Sequence, residues 1–369
     1  MGNRMDVPRK GPAAATMANL PAEILWVILR EKVEPVDRVA CKRVSHLWRQ
    51  VLAKHGATTK CRKKDDGAST YLSTVARNGW KNVLEWARSN GCAWDPRVCT
   101  EAAKGGHLDV LQWAKNNGCT WDKYTCAGAA LGGHLGILQW ARAEGCPWNE
   151  STCWSAARGG HLAVLKWARA NGCPWDEHTC AEAAFNGHRK VLEWARANAC
   201  PWGDNTCSRA AEGGHLEMLR WARENGCPWN KHTCGCAARG GHLDVLKWAL
   251  ANGCAWDEGT CGYAAEGGRL EVLKWARENG CPWDKWTCVR AAWSGHLEVL
   301  QWARGNGCPW DKWTCAYAAQ GGHLGVLQWA RANGCPWDVW TYTYAKKNGH
   351  PDVAEWAAAN GCPMYEERE

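Results

Sequence analysis

Apolar and polar positions follow a pattern that repeats every 27 residues between residues 69 and 363. One tryptophan marks the period, at positions 86, 113, 140, 167, 194, 221, 248, 275, 302, 329 and 356, with no insertion or deletion between copies. A segment of this length cannot bury its apolar face alone, whereas stacked copies share a continuous core. We therefore expect eleven copies of one supersecondary unit to build one repetitive structure.

Each copy contains two predicted helices, described here for residues 283–309. Helix A is predicted to start at Asp284, an N-cap residue, and to end about nine residues later at a glycine able to adopt a left-handed conformation. Helix B is predicted over residues 297–306 and is stopped by Gly307. Helices of about nine residues are not stable alone in water, so the copies must stack. The pattern predicts an all-α protein, an α-solenoid of eleven short helix-turn-helix repeats.

Comparison of the copies separates core positions from surface positions in helix A. Thr287, Cys288, Ala291 and Ala292 hardly vary between copies and are the predicted buried set. The positions of residues 286, 290 and 293 vary freely, and their i, i+4, i+7 spacing places them on one helical face. In a stack, these faces are expected to align into one strip, which we call the variable strip.

Early and late copies differ on the variable strip. Early copies place mixed residues there, such as Arg97, Glu101 and Lys104, or Ser151, Ser155 and Arg158. Late copies place there the predicted partner-binding residues Tyr263, Trp286, Arg290, Trp293, Trp313, Tyr317, Trp340 and Tyr344. Trp, Tyr and Arg dominate the hot spots of protein interfaces, which favours a binding surface. The alternative is that the rings pack sideways on one another and stiffen the end of the array.

The repeated strings Ala-Ala-x-x-Gly-His-Leu-x-Val-Leu and Asn-Gly-Cys resemble the ankyrin repeat over about residues 69 to 363. The resemblance implies a protein-interaction scaffold. Ankyrin units are near 33 residues and carry a β-turn finger. The units of this chain lack about six residues of that finger, so recognition is expected to fall to helix A.

Residues 19–55 are unrelated to the repeat and place apolar residues on one face of each of two predicted helices. The string Leu-Pro-x-Glu-Ile-Leu, followed by Ile-Leu, Pro-x-Asp, Val-Ser and Trp, resembles the F-box. The resemblance implies docking on a Skp-type adaptor of a cullin-RING ubiquitin ligase. It would use Leu20, Pro21, Ile24, Leu25, Ile28, Leu29, Val33, Pro35, Val44 and Trp48. The alternative is an extra helical cap on the solenoid.

The predicted organisation has five parts: a flexible N-terminus (1–17), an F-box-like segment (18–55), a basic linker (56–68), the repeat array (69–363) and an acidic tail (364–369). An F-box in front of Trp- and Cys-rich repeats is similar to proteins that giant DNA viruses of amoebae encode in expanded families. On that resemblance, the target is the ubiquitin machinery of the host cell.

Charge is distributed unevenly. The first 64 residues hold 14 Lys and Arg against 5 Asp and Glu, whereas the other 305 hold 31 against 32. Nucleic-acid-binding arrays carry a basic stripe along their length, so no nucleic-acid partner is expected. The sequence lacks a secretory signal at its start and any run of about 18 apolar residues, so we expect no membrane partner and a cytoplasmic location. The short basic run at residues 60–64 leaves a nuclear signal as an alternative to a solvated linker.

Metal and enzyme chemistry are not expected. Cysteines recur as Cys-x6-Cys with a histidine eight residues further on, but Leu72 and Tyr342 replace the second cysteine at the two ends of the array. A metal site needs its full ligand set, so the cysteines are interpreted as small buried core residues, and no cofactor is predicted. Polar residues are copies of one another, which leaves no unique catalytic cluster.

The leading hypothesis is therefore a non-enzymatic adaptor that recruits substrates to a Skp–cullin–F-box ligase. The alternatives are a plain ankyrin-type scaffold or competitive inhibitor without a ligase role and, more distantly, a thiol or metal protein.

Overall fold

The computed structural model describes residues 66–89, 94 and 97–364, which form 22 helices and no strand. This result confirms the predicted all-α fold with two helices per repeat. The helices A are α1 (Asp66–Arg77), α3 (Arg97–Gly105), α5 (Lys123–Gly132), α7 (Glu150–Arg158), α9 (Glu177–Phe185), α11 (Asp204–Glu212), α13 (Lys231–Gly240), α15 (Glu258–Glu266), α17 (Lys285–Trp293), α19 (Lys312–Gln320) and α21 (Val339–Lys347). The helices B are α2 (Lys81–Ser89), α4 (Leu108–Asn116), α6 (Leu135–Ala143), α8 (Leu162–Ala170), α10 (Arg189–Ala197), α12 (Leu216–Glu224), α14 (Leu243–Ala251), α16 (Leu270–Glu278), α18 (Leu297–Gly305), α20 (Leu324–Ala332) and α22 (Pro351–Ala359).

The F-box-like segment 18–55 and its ten adaptor-binding residues lie outside the described residues. Helix α1 begins at Asp66, which is three residues inside the segment predicted as a linker. None of the helices in the described ranges is both long and apolar enough to cross a membrane.

The chain divides into two compact units, residues 1–152 and 153–369. In the first unit, α1, α3 and α5 pack on one another in succession. In the second unit, α9, α11, α13, α15, α17, α19 and α21 do the same. Helices A also pack on the helix B of their own repeat, for example α17 on α18. Stacking of helices A therefore holds successive repeats together within each unit.

Local capping fixes the bounds of the two helices. The Asp284 carboxylate accepts a hydrogen bond from the Trp286 amide at 2.9 Å, which satisfies one of the unpaired amides at the start of α17. The helix ends before Gly295, whose φ of +78° turns the chain towards α18. Helix α18 ends at Gly305, one residue before the predicted end. Asn306 follows it and donates a side-chain hydrogen bond to the Trp302 carbonyl at 2.8 Å.

The residue two positions after the end of helix B, such as Gly307, has a left-handed backbone conformation in successive repeats. In one described repeat this residue is not glycine. Ala199 has a φ of +63°, whereas Gly226 has +80° at the equivalent position of the next repeat. A left-handed conformation costs an L-residue with a Cβ about 1 to 2 kcal/mol. The alanine therefore places backbone strain at the end of α10.

We expect Ala199→Gly to raise the free energy of unfolding by about 1 kcal/mol, because glycine adopts this conformation without strain. Gly226→Ala is the matched control and should lower it by a similar amount. A Cβ at Gly226 would meet no atom within 4 Å, so its cost comes from the backbone alone. Urea unfolding followed by circular dichroism measures both changes, and a destabilised Ala199→Gly variant would contradict the assignment.

The core of each repeat consists of small residues on helix A and branched residues on helix B. Thr287, Cys288, Ala291 and Ala292 are completely buried, which confirms the predicted set. Leu300 is also completely buried, and its equivalents from Leu84 to Leu327 are the largest such side chains of the described residues. Alanines at the helix A contacts let neighbouring helices approach closely, and the leucine fills the space under each pair.

Paired tryptophans cover the turn between repeats. Trp283 contacts Trp302 edge-on, with ring centroids 5.9 Å apart, and the Arg277 guanidinium lies 4.1 Å from the Trp283 centroid. The same arginine donates a hydrogen bond to the Cys281 carbonyl. Edge-on ring pairs and cation–π contacts are each worth about 0.5 to 1.5 kcal/mol. This arrangement recurs along the array and explains why the tryptophans recur with the repeat.

Histidines connect successive repeats. The His296 Nε2 atom hydrogen-bonds the Glu266 carbonyl at 3.0 Å, so it satisfies a carbonyl at the end of helix A in the preceding repeat. Where the histidine is replaced, Arg269 donates from Nε to the Arg239 carbonyl at 3.1 Å. A cation in the histidine position thus makes the same contact. His107, His134, His188, His215 and His350 make the same contact as His296, so these histidines join successive repeats.

The C-terminal repeat differs from the others at its outer face. Lys346 is exposed, although the equivalent Ala292 is completely buried. Pro351 occupies the first turn of α22, where a missing amide hydrogen costs nothing. Met364 replaces the inter-repeat tryptophan and is 52% exposed. These differences give the last described repeat a more polar and more exposed outer face than the other repeats have.

Candidate protein-binding surface

The variable strip of the second unit begins with a ladder of ion pairs. It consists of Arg158, Glu182, Arg209, Glu212, Arg239, Glu266 and Arg290, each paired with the next at 2.6 to 3.8 Å. Apart from Arg158, each of these side chains is only 16 to 34% exposed. Every member has an opposite charge beside it, and with four arginines against three glutamates the ladder has only a small net charge.

Two rings are inserted into this ladder. The Arg209 guanidinium lies 3.9 Å from the Phe185 centroid, and the Arg290 guanidinium lies 4.4 Å from the Tyr263 centroid. The ladder was missed in the sequence. Alternating Arg and Glu at two strip positions in adjacent repeats was a signal that could have revealed it, because those positions become neighbours once the helices A stack.

A cluster of aromatic rings follows the ladder on α17, α19 and α21. Tyr317 is at its centre, with ring centroids 6.2 Å from Trp286, 6.1 Å from Trp313 and 6.1 Å from Tyr344. Trp340 contacts Tyr344 at 5.5 Å. We call these five residues the ring cluster. The rings meet edge-on or tilted, the arrangement that aromatic quadrupoles favour.

Exposure varies within the predicted partner-binding set. Trp286 is 42% exposed and Trp293 is 45% exposed, which is high for tryptophan. Tyr263, Arg290, Trp313, Tyr317, Trp340 and Tyr344 are half-buried. The structure thus brings the rings together, as the sideways-packing alternative requires, and leaves two tryptophans open at the surface, as a binding surface requires.

Two sequence expectations about the strip need correction. Aromatic residues on it are not confined to late repeats, because Tyr124 and Phe185 occupy equivalent positions, and Tyr124 is 52% exposed. The strip also does not face outward throughout, since Ser151 and Ser155 are 5% and 3% exposed. Small side chains here are covered by their surroundings, whereas tryptophan extends beyond them. The ring cluster joins aromatics of three consecutive repeats.

The cysteines of the described residues are free thiols and nearly all are buried, as expected of core residues, and those that face each other are not the ones of the Cys-x6-Cys spacing. Cysteines 20 residues apart face each other within one repeat, as in Cys288, whose Sγ lies 4.0 Å from the Cys308 carbonyl oxygen. In another pair, the neighbouring Cys281 thiol, followed by burial, raises the pKa of Cys261 far above that of a free thiol. Among the described residues, no group of three His, Cys, Asp or Glu side chains could hold a metal ion.

One cysteine lies on the strip itself. Cys236 is half-buried between the ladder residues of α11 and α13. Burial, followed by the negative charge of Glu212, raises the pKa of Cys236 to about 11. The thiol is therefore protonated at neutral pH and is a poor nucleophile.

Comparison with known proteins agrees with the observed repeat. The family model described as ankyrin repeats in many copies matches residues 207–253 and 262–304. A crystal structure of the human ASB11 ankyrin repeat domain aligns with 42% of this chain and 84% of its own chain, at 18% identity and a TM-score of 0.34. A search of curated proteins gave no match. The chain is therefore similar to ankyrin repeats over residues 207–253 and 262–304, in the part where helices A stack on one another.

Proposed function

We propose that the array binds a protein substrate through the ring cluster, Trp293 and the adjoining Tyr263 and Arg290. The front segment would present that substrate to a Skp-type adaptor of a cullin-RING ligase. The chain acts as a non-enzymatic recruiting subunit in the cytoplasm, of a host cell if the chain is viral. The alternative is a scaffold or competitive inhibitor without the adaptor.

The observation that carries the proposal is the exposed edge of the ring cluster. Structural aromatics of this array recur in every repeat, as the Trp302 equivalents do, whereas the ring cluster occupies positions that vary between repeats. Contiguous exposed aromatic surface of this kind marks interaction sites on soluble proteins. Rigid rings lose little conformational entropy on binding, so they are efficient anchors.

The ligase role rests on residues 18–55, where the F-box-like string supports it. A front segment that binds an adaptor and an array that binds a substrate make two separable predictions. Each is tested by its own variant of the full chain, expressed in eukaryotic cells and recovered by affinity purification with quantitative mass spectrometry.

We expect Trp286→Ala combined with Trp313→Ala to lose array-bound proteins and retain the Skp-type adaptor. Leu20→Ala, Pro21→Ala and Ile24→Ala together should do the reverse. Tyr124→Ala is the matched control, because Tyr124 is exposed at the same repeat position outside the ring cluster. It should retain both kinds of partner.

Circular dichroism separates binding from folding. Loss of the Trp286 and Trp313 ring contacts should cost about 0.5 to 1.5 kcal/mol each. If the Trp286→Ala, Trp313→Ala variant still captured the same partner proteins, or lost far more stability than this, the rings would belong to the scaffold. An unaltered front segment that recovers no adaptor would leave the scaffold alternative.

A further inference from the structure

The charge of the helices that carry the ring cluster is one-sided. Helices α17, α19 and α21 contain five basic residues and no acidic residue. These are Lys285, Arg290, Lys312, Lys346 and Lys347. Of the preceding helices, α9, α11 and α15 contain acidic residues, α13 contains only the basic residues Lys231 and Arg239, and the glutamates of the ion-pair ladder lie along this part of the strip. Glu266 is the last carboxylate of the ladder, and it lies on α15, the helix A just before the ring cluster.

Three of the five cations are already paired within the chain. Arg290 pairs with Glu266 at 2.6 Å, Lys285 with Asp311 at 2.8 Å and Lys312 with Asp338 at 2.9 Å. The last two pairs lie at the start of the helices A, beside the N-cap residues. The two aspartates therefore lie at the start of the helices, and the strip positions within α17, α19 and α21 contain no carboxylate.

Lys346 and Lys347 are exposed and pair with no carboxylate among the described residues. Lys347 follows Tyr344 by three residues, so it lies on the same helical face, one turn beyond the ring. It also occupies the strip position that Trp293 holds in α17. At the C-terminal end of the ring cluster, the described residues thus include two lysines without an ion pair, of which Lys346 shares a depression with Glu355.

The chain also places its own cations over rings at this site. The Lys312 Nζ atom lies 5.6 Å from the Trp313 centroid, and Arg290 covers Tyr263. A cation from a partner would compete with these groups and be repelled by Lys346 and Lys347. A carboxylate would meet attraction instead.

We propose that the segment recognised by the ring cluster is acidic, with apolar side chains interspersed among Asp and Glu. This inference rests on the proposed function and names the chemistry of its partner. Apolar side chains would cover Trp286, Trp313 and Tyr317, while the carboxylates would face Lys346 and Lys347. Three repeats span about 30 Å at helix-packing spacing, which an extended segment of about ten residues covers.

A single-stranded nucleic acid also combines negative charge with stacking on aromatic rings. The observations favour a peptide. The rings of the cluster contact one another and leave few free faces for bases, and only two unpaired cations accompany them, whereas nucleic-acid grooves follow the backbone with many.

The test uses the full chain and a phage-displayed library of random peptides about ten residues long. Peptides that bind the unaltered chain but not the Trp286→Ala, Trp313→Ala variant depend on the ring cluster. We expect these peptides to be enriched in Asp and Glu together with Leu, Phe or Trp. Synthesised peptides from this set should lose affinity at high salt.

Charge reversal then tests the two lysines directly. Lys346→Glu with Lys347→Glu should weaken binding of a selected peptide about tenfold, as two nearby exposed charges allow. Lys166→Glu with Lys190→Glu is the matched control, because both lysines are exposed on helices B away from the strip. This control should leave affinity within about twofold.

The possible failures are distinguishable. Cluster-dependent peptides that are neutral or basic would overturn the acidic partner and leave the proposed binding surface intact. A library without any cluster-dependent peptide would overturn both. A single-stranded DNA of about ten nucleotides that binds, and is lost with Trp286→Ala and Trp313→Ala, would replace the peptide with a nucleic acid.

Discussion

Ala292→Lys is expected to destabilise the array by about 4 kcal/mol or more, because it buries an unpaired charge between stacked helices. Ala292 is completely buried, and so are its equivalents from Ala103 to Ala319. The natural exception is Lys346, which is exposed because no described repeat follows it. The face on which these residues lie is therefore the one that the next repeat covers.

The damage should be local, since each repeat contacts only its neighbours. We expect hydrogen exchange to accelerate in α17, α18 and α19 while α9 to α13 stay protected. Lys346→Ala is the matched control at the equivalent position. As a surface change, it should alter stability by less than about 0.5 kcal/mol. Near-native protection of α17 and α19 in Ala292→Lys would contradict the stacking described above.

Leu300→Ala is expected to cost about 3 to 5 kcal/mol, the range for removing a fully buried leucine and leaving a cavity. Leu300 lies on α18 and is completely buried. Because its neighbours are fixed by stacking on both sides, the site has little freedom to collapse. Urea unfolding, with hydrogen exchange to locate the effect, measures this change.

The last repeat carries the same substitution naturally, with Ala354 at the position of Leu300. Ala354 lines an open depression together with Tyr342, Pro351 and Ala358. Ala354→Leu should therefore fill part of this depression and add about 1 kcal/mol of stability. Two results would show that Leu300 and its equivalents are not the main core. One is a loss of stability in Ala354→Leu, and the other is a loss of stability below about 1 kcal/mol in Leu300→Ala.

The binding surface was partly predictable from the sequence. Comparison of copies identified the variable positions, and the spacing of 286, 290 and 293 placed them on one face. Whether a residue there is exposed depends on its size and on the side chains beside it. Ser155 is covered whereas Trp293 is open, although both occupy the strip. The sequence alone therefore could not separate strip positions that are exposed, where a partner could bind, from strip positions that neighbouring side chains cover.

The sequence by itself determined the helices and the core of this protein. Asp284, Gly295, Asn306 and Gly307 act on the backbone within a few residues, so helix bounds follow from local chemistry. The buried set follows from what cannot vary between copies. The 27-residue period then dictates that the copies stack, because no single copy encloses a core.

Only the tertiary structure decided which side chains meet across the stack. Cysteines 20 residues apart face each other rather than those of the Cys-x6-Cys spacing, because the chain reverses between helix A and the next turn. Arg239 bridges Glu212 and Glu266 of the neighbouring repeats, and Tyr317 gathers rings from both sides. The contacts that Arg239 and Tyr317 make with neighbouring repeats join residues 27 to 31 positions apart. They depend on how closely helices A approach, a distance set by alanine packing in the core and not by the local sequence at the surface.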